Sequence, residues 1–158
     1  MAGTHIALLC GINVGRAKRV AMADLRALVE GLGYGNVSTL LNSGNVVFTV
    51  PSKTAKTSPA KRIEQALDAQ LNVASRVLVL SAAELAVIVA ENPLEKVATD
   101  PSRLFVAVLF DAASLAKLTP LTKQDWGRDR LALGTRAAYL WCAEGMTESR
   151  LAKAANRI

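Results

Sequence analysis

The stretch Val37-Ser38-Thr39-Leu40-Leu41-Asn42-Ser43-Gly44-Asn45-Val46-Val47-Phe48-Thr49-Val50 decides the fold. Two short runs, 37–41 and 46–50, are rich in the β-branched and apolar residues that suit strands. Between them Asn42-Ser43-Gly44-Asn45 predicts a hairpin turn, with Gly44 where a positive φ is tolerated. Upstream, His5 to Cys10 is a short apolar run closed by Gly11 and predicts a buried strand. Met22, Leu25, Leu28, Val29 and Leu32 then recur at helical spacing, and Gly31, Gly33 and Gly35 end that helix. Downstream, Ser58-Pro59 predicts an N-cap followed by proline at the first helical position. Ile63, Leu67 and Leu71 form the apolar stripe of this second helix, and Arg76 to Leu80 predicts a fourth strand. Residues 1–80 therefore read β-α-β-β-α-β, the ferredoxin-like order.

The second half repeats most of that order. Ser81 and Glu84 form a capping box that opens a helix with Leu85, Ile88 and Val89 inward, and Pro93 stops it. Residues 81–102 read as a connector. Arg103 to Phe110 predicts a strand, and Asp111 caps a short helix carrying Leu115 and Leu118. Arg128 to Leu133 and Arg136 to Cys142 flank a second hairpin at Gly134-Thr135, and Thr147 caps a last helix with Leu151 and Ala155. The expected fold class is α+β: two ferredoxin-like lobes packed together, 1–80 and 103–158, the second without its last strand. Positions 46, 47, 48 and 50 are all apolar, as are residues 6 through 10 of the first strand. Both sheet faces therefore call for cover, from the second lobe or from a second subunit.

Composition excludes several classes. At 51% hydrophobic residues the chain is too apolar for disorder. The longest apolar run, Val77 to Ala90, is broken by Glu84 and is too short to span a bilayer. Met1 to Val14 has no Lys or Arg ahead of its apolar part, unlike a signal peptide. Cys10 and Cys142 lack metal-ligand spacing, and His5 is the one histidine. A reduced, cytoplasmic protein with no metal and no membrane partner is expected.

The topology brings two motifs together. In this order the first two strands run the same way, joined by a right-handed crossover, and the third returns between them. The loop Gly11-Ile12-Asn13-Val14-Gly15-Arg16-Ala17-Lys18-Arg19 and the hairpin Asn42–Asn45 therefore lie at one end of the sheet, with the N-terminus of the first helix. That terminus carries unpaired N–H groups and the positive end of the helix dipole. Gly11 and Gly15 permit close backbone approach, and Arg16, Lys18 and Arg19 add charge. These parts resemble an anion-binding pocket. The formal charge is +6, and residues 1–80 hold nine cations against four acids. Each part also has a plain reading. A glycine loop after a strand is by default only a turn, and Asn42–Asn45 alone is only a hairpin. The basic run Lys53, Lys56, Lys61 and Arg62 reads as a solvated loop at the far end of the sheet. Cys10, beside Arg16 and Lys18, is by default a buried structural cysteine, although those cations would stabilise a thiolate.

Leu8-Leu9-Cys10-Gly11-Ile12-Asn13-Val14-Gly15, then Met22-x-x-Leu25, then Asn42-Ser43-Gly44-Asn45-Val46-Val47-Phe48 resembles the domain-of-unknown-function 1697 family of bacterial proteins. The likeness extends to Gly145–Leu151 and spans nearly the whole chain. It implies a two-lobed α+β fold and brings no activity, substrate or cofactor. Relatives usually carry Arg at position 10, Gly at 16 and Gln at 42, and continue past the last helix with a further strand.

Three function classes follow. The first is a binding module for an anionic ligand, a phosphate-containing small molecule or a nucleic-acid backbone. Its candidate residues are Gly11, Asn13, Gly15, Arg16, Lys18, Arg19, Asn42, Ser43, Gly44 and Asn45. RNA recognition by base stacking fits poorly, because Phe48 is the only aromatic on the relevant strands. The second class is a self-associating protein using apolar sheet faces. The third is a phosphoester- or nucleotide-directed enzyme, in which Cys10, Asn13, Ser43 and Asn45 orient or attack substrate.

Overall fold

The computed structural model describes residues 3–16, 18–54 and 56–158. Among the described residues it is a mixed α+β protein with two antiparallel sheets and five α-helices. The chain divides into two compact units, 1–85 and 86–158.

In the first unit β1 (Gly3–Leu9) leads through the long loop to α1 (Met22–Gly31), then β2 (Gly35–Leu40) and β3 (Asn45–Val50). After a short 3-10 turn, α2 (Pro59–Leu71) returns to β4 (Val77–Ser81). The sheet order is β2-β3-β1-β4, with every neighbouring pair antiparallel. Because β3 lies between β1 and β2, those two run the same way, as the sequence reading expects. Alternation places Ala7 and Leu9 of β1 and Val46, Phe48 and Val50 of β3 on one face. There they pack with Leu25, Leu28 and Val29 of α1 and Ile63 and Leu67 of α2 in one core. The opposite face carries Leu78 and Leu80, which are also buried. His5 is a strand residue stacked on Phe48 at 5.9 Å between ring centroids.

Arg62 leaves the basic run to which its position assigned it. It donates to Leu32 O at 2.8 Å and lies over the Tyr34 ring at 5.2 Å. It thus closes the C-terminal end of α1, where carbonyls lack helical partners. Ser58 stands at the N-cap position of α2 but makes no side-chain capping bond.

The capping box forms: Ser81 N donates to Glu84 Oε2 at 2.7 Å and Glu84 N to Ser81 Oγ at 3.2 Å. It opens α3 (Ala82–Ala90). Ile88 is buried, but Val89 is 67% exposed, which corrects its inward assignment. One residue further round the helix turns a side chain by about 100°.

In the second unit β5 (Leu104–Val108) leads to α4 (Ala112–Leu118), β6 (Arg130–Leu133), β7 (Ala137–Trp141) and α5 (Arg150–Ala155). The order β5-β7-β6 is antiparallel. All five residues of the central β7 are buried. Ala138, Leu140 and Cys142 pack with Leu118, Leu121 and Leu151 in a second core. Asp111 caps α4 as expected, accepting from Ser114 N at 2.7 Å. The cap of α5 is Ser149, two residues beyond the expected Thr147. Its buried Oγ accepts from Ala152 N at 2.9 Å and donates to Asp129 Oδ2 at 2.7 Å. A hydroxyl with two fixed partners outcompetes one left in solvent. Residues expected as connector belong in part to this unit. Glu91 accepts from Thr135 N at 3.0 Å, and the buried Tyr139 hydroxyl donates to Ile88 O.

Candidate functional site

The loop after β1 and the β2–β3 hairpin do meet. Pairing of Leu8 and of Leu40 with Asn45 brings both to one end of the sheet. Leu9 N donates to Gly44 O at 3.1 Å. Gly44 has φ +87°, and a Cβ there would lie 2.7 Å from Ile12 Cδ1 and 2.9 Å from Leu9 Cβ. Only glycine lets the hairpin seat on the loop so closely. Gly11 (φ +66°) and Gly15 (φ +62°) have open space around them, so their requirement is the backbone conformation.

Asn13 holds the loop together. Its Oδ1 accepts from Val20 N at 2.9 Å, and its Nδ2 donates to Val20 O at 2.9 Å and Asn42 O at 2.7 Å. An amide nitrogen has two protons, and both are used. Asn13 is therefore a positioning residue, not a ligand donor. Ser43 Oγ accepts from Asn45 Nδ2 at 3.1 Å, which orients the hydroxyl and does not remove its proton.

These bonds frame an open cleft of about 470 Å³ lined by Asn13, Arg19, Val20, Ala21, Met22 and Asn42. Arg19 reaches back to donate to Gly15 O at 2.5 Å, which leaves guanidinium N–H groups for a ligand. Arg16 and Lys18 are exposed on the same loop. Ala21 is the N-cap of α1 and offers no side-chain bond. The first helical rung is Leu25 N to Ala21 O at 3.0 Å, so the amides of Met22, Ala23 and Asp24 precede the ladder. Asp24 in the first turn offsets part of the dipole's positive end.

Cys10 is exposed, which corrects its reading as a buried residue. Its thiol is raised above its ordinary value, chiefly because the surrounding chain partly shields it from water. Arg76 lowers it and Glu64 raises it; the loop cations do not govern it. A thiol held neutral is a poor nucleophile. Among the described residues no group of three His, Cys, Asp or Glu is placed to hold a metal. Phe48 is fully buried and unavailable to stack a base. No helix of the described residues is long and apolar enough to cross a membrane.

Two residues escaped the sequence reading. Leu41 was expected to end a strand; instead it stands in the turn at φ +58°, with 81% of its surface exposed. Val14 is 71% exposed on the facing loop. The unbroken pair Leu40-Leu41 interrupts strand alternation, and that was the available signal.

A family model described as a protein of unknown function, DUF1697, matches residues 2–139. No curated protein matches the chain. The solved structure of a conserved bacterial protein from Streptococcus pneumoniae is similar at a TM-score of 0.76. It shares 20% identity over 97% of this chain and 85% of that one. At that identity the likeness speaks for the fold.

Proposed function

The chain belongs to the DUF1697 family, and we propose that its β1–α1 loop and β2–β3 hairpin bind a small ligand bearing a phosphate or similar anionic group. The observation that carries this reading is the N-terminus of α1, which has no side-chain cap and opens on the cleft beside Arg19. Amides that precede a helical ladder and point along its dipole favour an anion. Arg16 and Lys18 add long-range attraction at the same end, in the more basic part of the chain. Asn13 and Gly44 hold the two segments in register, so the site is formed before a ligand arrives.

The fold reading goes with it. The order β2-β3-β1-β4 suits a ferredoxin-like lobe over residues 1–80, and β5-β7-β6 matches the β1-β3-β2 part of that order over 103–158. Residues 81–102 join them in this reading. A soluble phosphate compound of the cytoplasm is the natural ligand.

Calorimetric titration with inorganic pyrophosphate tests the site. Binding is expected to weaken as salt is raised. A triple Arg16→Ala, Lys18→Ala, Arg19→Ala variant is expected to bind about tenfold more weakly. Affinity that is indifferent to both changes overturns the reading.

A further inference from the structure

The loop that holds the cations and the hairpin bonded to it both expose large apolar side chains. Val14 directly follows Asn13, and Leu41 directly precedes Asn42. Asn13 Nδ2 donates to Asn42 O at 2.7 Å, so Val14 and Leu41 are the chain neighbours of the two partners in one hydrogen bond. Both are largely in solvent, and Leu40 beside them is also exposed. Single exposed leucines need no explanation, but these adjoin the hydrogen bond that ties two separate segments together. The position of Leu41 is maintained against a local cost. Leu41 has φ +58°, a conformation that Asn or Gly adopts far more readily.

We propose that the ligand is an amphipathic anion: a phosphate monoester with an aliphatic body, its head held at the cleft and its chain laid over Val14 and Leu41. This rests on the anion site proposed above and adds the chemistry of the rest of the ligand. Charge complementarity selects the anionic head, since Arg16, Lys18 and Arg19 lie on the loop that bears Val14. The rim selects the body. Aliphatic side chains reward burial of methylene groups and offer no ring for a base to stack on. Val20, Ala21 and Met22 line the cleft next to this rim.

Titration with methyl phosphate and with hexyl phosphate separates the two parts of the claim, because the head group is the same. Hexyl phosphate is expected to bind about 15-fold more tightly, the worth of roughly two buried methylenes. In a Val14→Ser, Leu41→Asn variant that preference is expected to fall to near one, with methyl phosphate binding unchanged. Both positions are exposed, and an unaltered far-ultraviolet circular dichroism spectrum confirms the variant's fold. Equal affinity for the two esters overturns the amphipathic ligand and leaves the anion site standing. A chain-length preference that survives in the variant overturns the assignment to this rim. Failure of the wild-type protein to bind either ester overturns the anion site, and this inference with it.

Discussion

At the scale of single residues, Gly44 and Leu41 carry opposite burdens in one turn. Gly44 has both a left-handed backbone and no room for a Cβ, with Ile12 and Leu9 in contact. Gly44→Ala is expected to cost about 2–3 kcal/mol in chemical denaturation, because the loop must move away. Gly15 has a similar φ but open space around it, so Gly15→Ala is expected to cost only about 1 kcal/mol. Equal costs would mean that the hairpin's seat on Ile12 is not tight. Leu41 bears a conformational cost with no packing in return. Leu41→Asn is expected to raise the thermal midpoint, by about 1 kcal/mol of stability. A lower midpoint would show that Leu41 packs in a way its exposure does not suggest.

At the scale of elements, the ends of helices decide most of what local sequence left open. The Ser81–Glu84 box was legible because both partners lie within one turn. Ser149 was not, because one of its two partners is Asp129, 20 residues away in the chain. Asp129 also accepts from Ala143 N at 2.9 Å, so one carboxylate ties the end of β7 to the start of α5. Ser149→Ala removes a cap and takes a partner from that carboxylate. The expected cost is about 2 kcal/mol. Both tryptophans, Trp126 and Trp141, lie in the second unit, so loss of their fluorescence in denaturant reads this change directly. Thr147→Ala in the same assay is expected to do almost nothing; the reverse ranking would restore Thr147 as the cap.

At the scale of the whole molecule, three acidic groups share one direction of shift. Cys10 and Cys142 are raised from 9.0 and Tyr139 from 10.0, each chiefly by removal from water. Glu91 adds to the shift at Tyr139. At Cys142 Ser149 opposes the shift and Asp129 adds to it. A folded state that keeps these protons longer than the unfolded chain does is fully stabilised below the ordinary values. It loses that advantage as pH rises through the raised ones. Thermal midpoints are therefore expected to hold steady near neutrality and fall above about pH 9. Midpoints unchanged to about pH 10.5 would show that these groups titrate alike in both states. Residues of both units contribute, so the decline belongs to the protein as a whole.

The sequence by itself determined the order of elements, both hairpins and the end of the sheet at which the candidate site lies. These follow from periodicity, turn chemistry and strand direction, all of which act over a few neighbouring residues. It also carried the family likeness in the motifs at 8–15 and 42–48, which the match over residues 2–139 bears out. Tertiary structure alone decided what each site residue is free to do. Asn13 looked like a ligand donor until Val20 and Asn42 were seen to occupy both its protons. Cys10 looked buried because its strand is apolar, yet it lies one residue beyond β1 and is exposed. Leu41 looked like a strand residue until register ended β2 at Leu40. A side chain's composition states what it can bond to; only the chain segments folded around it settle which of those bonds are already made.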